Sequence, residues 1–220
     1  MPPNILGMAL PPAQAPNPAP ARRPRRTLKG LLLLALAPWL AACSVFGMRS
    51  GTEEPPFTII GQIGEVEIRR YAPRLVAEIE VAGDEASARN AAFRPLAAYI
   101  FGENVTGERI GMTAPVAQAG ADGAWRIGFF MPARYSLDSL PRPRDPRITI
   151  RPLPEADVAV LRFSGLPEPQ AVAQAASRLD AALAGSAWMP QGPGGAWFYD
   201  PPWTIPGLRR SEAWRPVRRS

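Results

Sequence analysis

The sequence contains no histidine. That absence excludes Ser-His-Asp and Cys-His catalysis, the two-histidine zinc-protease helix and every histidine-bound metal. Cysteine is almost missing too. Cys43 stands alone, so no disulfide can form within the chain and its core must be held by packing. The apolar run Leu31–Leu40 (LLLLALAPWL) is too short to cross a bilayer, which takes about 20 residues. No phosphate-binding glycine loop is present either, because Gly61-Gln62-Ile63-Gly64 lacks the required spacing.

What is present near the start reads as an address. Residues 1–21 are rich in Pro and Ala, carry no charge and have no apolar periodicity, so they are expected to be disordered. Arg22, Arg23, Arg25, Arg26 and Lys29 then precede the apolar run, which ends in Leu40-Ala41-Ala42-Cys43. A basic segment, a short apolar segment and small residues at the cut make a secretory signal. The last four residues resemble the lipobox of bacterial lipoproteins, whose cysteine is lipidated and becomes the mature N-terminus. The alternative is an incidental cysteine beside an ordinary signal peptide. The resemblance implies a leader over 1–42, lipid attachment at Cys43 and a tether over 43–56. It also implies a lipid-anchored place in the bacterial cell envelope. Ser44 after the cysteine implies sorting to the outer membrane, facing the periplasm. Several acyl chains would hold such a protein firmly, since one chain alone binds only marginally.

The leader also accounts for the charge. The whole chain has 25 Lys+Arg against 19 Asp+Glu, but the leader holds 5 of the basic residues and no acidic ones. Removing them leaves 20 against 19, and no basic patch interleaved with aromatics points to nucleic acid.

Past the tether, Glu65–Arg69 alternates with Val66 and Ile68 on one face. Leu75, Ala77, Ile79 and Val81 alternate with Val76, Glu78 and Glu80. These are two expected strands, joined as a hairpin through Tyr71-Ala72-Pro73-Arg74. Asp84 is an N-cap for a helix to about Phe101, with Gly102 as its stop and Pro95 expected to kink it or delay its start. Strands are expected near Arg109–Ala117, Trp125–Met131, Ile148–Leu153 and Val158–Phe163. A Pro- and Arg-dense loop spans residues 132–146. A second helix is expected over Pro169–Ala184, followed by strands at Ala196–Asp200 and Glu212–Val217. The class is α+β, with helices on a curved antiparallel sheet or barrel and two roughly duplicated halves.

Seven segments in order are similar to the SOUL haem-binding family: EVEIRRY (65–71), FRPLAAYIFGEN (93–104), IGMTAPV (110–116), FMPARY (130–135), VAVLRFSG (158–165), YDPPW (199–203) and RRSEAW (209–214). The resemblance covers about Pro56 to Val217 and defines a domain over 57–217. It implies a distorted antiparallel β-barrel with two flanking helices, similar to effector-binding domains of some transcription regulators. It also implies binding of haem, another tetrapyrrole or a similar apolar small molecule, and no catalysis. Histidine ligation of iron, known in some members, is impossible in this chain. Met and Tyr remain as axial candidates, since the Cys43 sulfur would be blocked as a thioether.

The expected ligand region is the first helix and the loop after it. Phe93, Leu96, Tyr99, Ile100 and Met112 are its apolar residues, and Arg89, Arg94 and Arg109 are cations suited to propionates. The competing reading of Phe93, Leu96, Tyr99 and Ile100 is plain helical core, and Met112 could equally be a core gap-filler. The carboxylate pairs Glu65/Glu67 and Glu78/Glu80 read as solvated strand faces. Two other functions stay open. One is a small-molecule hydrolase on a related barrel, using a buried Glu or Tyr. The other is a ligand-free envelope interaction protein, using the aromatic segment Trp197–Trp214. The sequence leaves any metal unassigned.

Cys43→Ser is expected to block processing and lipid attachment. In cells fed labelled palmitate, the variant should migrate as the heavier precursor, without label.

Overall fold

The computed structural model describes residues 52–220. The leader, Cys43 and most of the expected tether lie outside the described residues. Ten strands are formed: β1 (Phe57–Ile63), β2 (Val66–Tyr71), β3 (Arg74–Ala82), β4 (Val116–Ala121), β5 (Ala124–Phe130), β6 (Thr149–Leu153), β7 (Ala156–Phe163), β8 (Trp188–Pro190), β9 (Gly195–Phe198) and β10 (Ser211–Arg219). Helix α1 (Glu85–Ile100) follows β3, and α2 (Pro169–Leu183) follows β7. No described helix is long and apolar enough to cross a membrane.

The strands form one curled antiparallel sheet in the order β1-β2-β7-β10-β9-β4-β5-β3-β6, with β8 added on β10. Its plan is a duplication. In each half a strand leads into a helix and then into two strands: β3-α1-β4-β5 and β7-α2-β9-β10. In each half the last strand pairs with the first, β5 with β3 and β10 with β7, and β4 pairs with β9 to join the halves.

The expected β2–β3 hairpin does not form. Each half instead sends a strand to the other: β2 pairs with β7, and β6 with β3. Tyr71 stands opposite Ala156 and Arg74 opposite Leu153, so one antiparallel register runs through both ladders. The interruption falls at Ala72-Pro73 between β2 and β3 and at Pro154-Glu155 between β6 and β7. Proline has no N–H to give a ladder, so each long strand bends at this corner and crosses between halves. The alternation in β2 and β3 reports which face is buried, but not which strand is the partner.

Three apolar clusters hold the sheet. On one half, α1 packs Ala92, Leu96, Tyr99 and Ile100 against Ala77, Ile79, Ile127 and Phe129. On the other, α2 packs Ala175, Leu179 and Leu183 against Val66, Ile68, Ala159 and Leu161. A third cluster, with Tyr71, Val76, Phe130, Val160, Trp197 and Tyr199, takes the opposite strand faces. Asp84 caps α1 by accepting from Ser87 N at 2.9 Å. The helix runs unbroken through Pro95, because tertiary packing before and after it outweighs a local cost of about 3 kcal/mol.

The strand expected from Arg109 begins only at Val116. Residues before it are anchored irregularly, by Thr113 Oγ1 donating to Phe130 O at 2.6 Å and Ala114 N to Glu53 O at 2.9 Å. That second bond also docks the end of the expected tether. Strands β1 and β8 were not foreseen; β1 is a largely exposed edge and β8 is three residues long.

Gly195 sits where β9 is squeezed between β4 and β10. A Cβ there would lie 2.2 Å from Gln118 O and 2.9 Å from the Trp214 ring. Gly195→Ala is expected to cost about 3 kcal/mol. Thermal unfolding should show a Tm lower by about 10 °C.

Candidate functional site

Every strand has a second face, and in this fold the inward one carries charge. Alternation that sends Val66 and Ile68 to α2 turns Glu67, Arg69 and Tyr71 the other way, and Glu212 on β10 faces them. Glu212 is fully buried (0% exposed). Its carboxylate accepts four hydrogen bonds: Arg69 Nη1 at 2.8 Å and Nη2 at 3.1 Å, Arg210 Nε at 2.9 Å and Tyr199 OH at 2.7 Å. Arg69 also donates to Glu67 at 2.8 Å and lies 4.4 Å from the centre of the Phe57 ring. Arg210 stacks 3.7 Å over Tyr199 and reaches Glu54 at 3.0 Å.

These contacts set the titration. Burial alone would raise the Glu212 carboxyl, but hydrogen bonds and charge from Arg69, then charge from Arg210, outweigh it and hold it below the ordinary range. Burial pushes the Tyr199 phenol up, with the Glu212 charge adding to it. Glu212 is therefore ionised, with all its lone pairs engaged. It is neither a poised acid nor a free base.

Aromatic rings fill the rest of the interior. Trp197 stacks on Trp214 with centroids 5.5 Å apart and meets Tyr71 edge-on at 5.5 Å and Phe130 at 6.1 Å. Glu54, Pro55 and Phe57 close over them, and the remaining cavity is about 10 Å³. That is room for about one water.

A larger space lies outside the barrel, along α1. A groove of about 470 Å³ runs between that helix and the loop ahead of β6, lined by Arg94, Pro95, Ala98, Tyr99, Glu103, Arg144, Asp145, Arg147 and Ile148. Arg147 is paired with Asp145 at 2.6 Å. Among the described residues, no carboxylate pairs with Arg94 or Arg144. Pro95, Ala98 and Ile148 supply apolar wall. Tyr99 OH donates to Pro141 O at 2.6 Å, which ties the helix to the loop. Burial, reinforced by Tyr135, keeps that phenol protonated.

The structure divides the residues expected at the site. Arg94 and Tyr99 line the groove. Leu96, Tyr99 and Ile100 are buried against the sheet, so they do not form the exposed apolar surface expected of them. Helical spacing selects the face that packs, and here that face packs on β3 and β5. Arg89 is engaged as well. It donates to Gln118 at 2.8 Å and Glu85 at 3.4 Å and lies 4.2 Å over Phe198. Phe93 is exposed, edge-on to Phe129 at 5.3 Å, and sits about 100° around the helix from Arg94. Arg109 lies over Phe101 at 5.5 Å, and Met112 is exposed; neither lines the groove. Arg144 and Arg147 were missed as site residues, although their loop is visible as a Pro- and Arg-dense stretch. Arg69 and Glu212 were missed because charges alternating with apolar residues read as a solvated face.

Comparison with known proteins agrees with this architecture. The family model described as SOUL heme-binding protein matches residues 52–216. The C-terminal domain of EcmrR superposes with a TM-score of 0.54 at 10% identity, over 70% of this chain and 98% of that one. A hydrolase from Listeria innocua gives a TM-score of 0.54 at 12% identity, over 72% and 94%. At such identities the likeness is one of fold. No curated protein sequence matches the chain.

Glu212→Gln is expected to destabilise the fold by about 3–5 kcal/mol, because Arg69 and Arg210 stay buried without their carboxylate. A carboxyl whose folded pKa is depressed stabilises above its unfolded value and loses that contribution as pH falls through the folded one. Denaturant melts should show wild type weakening below about pH 4, with the variant flatter over that range.

Proposed function

The chain belongs to the SOUL heme-binding family, and on that premise we propose that it binds haem or a related tetrapyrrole in the groove beside α1, as a lipid-anchored protein of the bacterial cell envelope. The observation that carries this reading is the pair of arginines, Arg94 and Arg144, without carboxylate partners on an open groove of about 470 Å³. That volume lies within the range of about 300–1,000 Å³ usual for small-molecule sites. Tetrapyrroles of this kind combine a flat apolar face with carboxylates, and guanidinium groups bond carboxylates in a fork. Pro95, Ala98 and Ile148 suit the face. The interior, at about 10 Å³, has no room for such a ligand.

The groove fits the macrocycle's carboxylates and face, not axial ligation of a central iron. There is no histidine in the chain, Met112 is not in the lining, and the Tyr99 hydroxyl is a protonated donor to Pro141 O. The described residues hold no group of three His, Cys, Asp or Glu side chains able to bind a metal. An iron centre supplies redox and ligand-exchange chemistry when it is bound. What this chain's residues contribute is retention: Arg94 and Arg144 orient the acid edge, and the apolar wall excludes water from one face.

Binding is favoured over hydrolysis. A hydrolase on this barrel would draw on a buried Glu or Tyr, but Glu212 is held ionised by its donors, Glu78 is held by Arg151 through both oxygens, and the Tyr199 hydroxyl is committed to Glu212. The interaction-protein alternative required Trp197, Trp203 and Trp214 as one exposed patch. Trp197 is buried and Trp214 partly buried, which leaves Trp203 alone. Membrane attachment in this reading rests on the LAAC motif ending at Cys43.

Titration followed by absorbance and tryptophan quenching tests the proposal. Saturable binding of ferric haem is expected, and metal-free protoporphyrin should bind within about threefold of it, because retention does not run through the iron. Arg94→Glu and Arg144→Glu should each weaken both ligands by about tenfold or more. Non-saturating changes, or affinity untouched by both variants, would remove the groove as the site.

A further inference from the structure

One surface feature belongs neither to the interior nor to the groove. The turn 201–208 (PPWTIPGL) has eight residues without a charge. Trp203 is 65% exposed, Leu208 46% and Ile205 43%. Leu166, 46% exposed, joins them from the neighbouring turn, because Gly165 N donates to Pro206 O at 3.0 Å. Four large apolar side chains thus stand exposed on two turns joined by that bond.

Five of the eight carbonyls beneath them are already bonded within the protein. Pro201 O accepts from Thr204 N at 3.1 Å, Ile205 O from Leu208 N at 2.9 Å, and Pro206 O from Arg209 N at 3.1 Å as well as from Gly165. Arg209 folds back under the turn and donates to Thr204 O at 2.8 Å and to Pro202 O. Three of the eight residues are proline and have no N–H to satisfy. Moving a carbonyl out of water is costly mainly when it has no donor, so these bonds and prolines lower the cost of bringing the turn to the headgroup layer, where its remaining polar groups still meet water, while it presents indole and aliphatic groups.

We propose that the turn 201–208, with Leu166, rests in the interfacial layer of a lipid bilayer, Trp203 foremost. A bilayer suits it better than a protein partner. Protein interfaces carry about one hydrogen bond per 100–200 Å², and this tip offers bonded carbonyls and no charge. Tryptophan is the side chain that settles at the boundary between headgroup and hydrocarbon. The membrane would also be near. Glu53 is docked on the barrel, and the ten residues from Cys43 to Thr52 can reach about 35 Å at most. That last clause rests on the lipid-anchor reading, whereas the chemistry of the turn stands without it.

The test uses the full chain in vesicles of phosphatidylcholine and phosphatidylglycerol, with and without acyl chains brominated near the headgroup. Subtracting the emission of Trp203→Phe from that of wild type isolates the indole at position 203. That difference signal is expected to fall by about half on brominated lipid and to be shielded from aqueous iodide. A signal indifferent to bromine while the chain floats with the vesicles overturns the proposal. So does shielding that appears only when a second protein is added. A variant with Leu166→Ser, Ile205→Ser and Leu208→Ser should return Trp203 to iodide while the chain stays on the vesicle. Detachment of Cys43→Ser from the vesicles reports on the anchor instead, so the two readings fail separately.

Discussion

Four donors converge on one carboxylate at the centre of this molecule, and the rest of the architecture follows from their being satisfied. Glu212 draws in Arg69 from β2, Tyr199 from the end of β9 and Arg210 beside itself. A buried ion pair adds little net stability, since desolvation offsets most of the attraction. Its effect is positional. With Arg69 committed to Glu212, Phe57 closes over the guanidinium, Glu54 follows to Arg210, and the aromatic rings fill what remains. The concave side that a curled sheet would offer to a ligand is occupied by the protein's own groups. The open space lies instead on the outer surface, in the groove between α1 and an arginine-bearing loop where we propose that the ligand binds.

Much of this could be read from the sequence, and the failures share a cause. Asp84 as a cap, the two helix spans and the buried faces of β2 and β3 are local properties, written in spacing and end residues. Partnership is not local. Val66 meets Leu161, and nothing near Val66 announces it, so two adjacent strands with a turn between them read as a hairpin. The same limit applies to charge. Arg69 and Glu212 each resemble a solvated strand position until the fold sets them face to face. Leu96, Tyr99 and Ile100 failed differently, because helical spacing identifies a packed face and a packed face is unavailable to a ligand. Arg94 belongs with the groove because it lies off that stripe.

Membership of a haem-binding family, a filled interior and a histidine-free sequence can be reconciled in one way. In the reading proposed above, haem affinity comes from the porphyrin's rim and face rather than from its metal, and the protein supplies cations for the rim and an apolar wall for the face. Arg94 on a helix and Arg144 on a loop tied to it by Tyr99 meet that need. A site built from the macrocycle's edge binds and releases without changing the coordination of the ion, which suits carriage or sequestration more than redox work.

The bent strands carry a consequence for the order in which the domain can assemble. β2 cannot complete its ladder until β7 is available, and β3 lacks its outer neighbour until β6 arrives. A chain emerging N-terminus first during synthesis presents half a barrel before the partners of β2 and β3 exist. That half has no closed sheet of its own, and the pairings that close it are long-range and form late. The crossing at Pro73 and Pro154 thus ties closure of the sheet to the arrival of its second half.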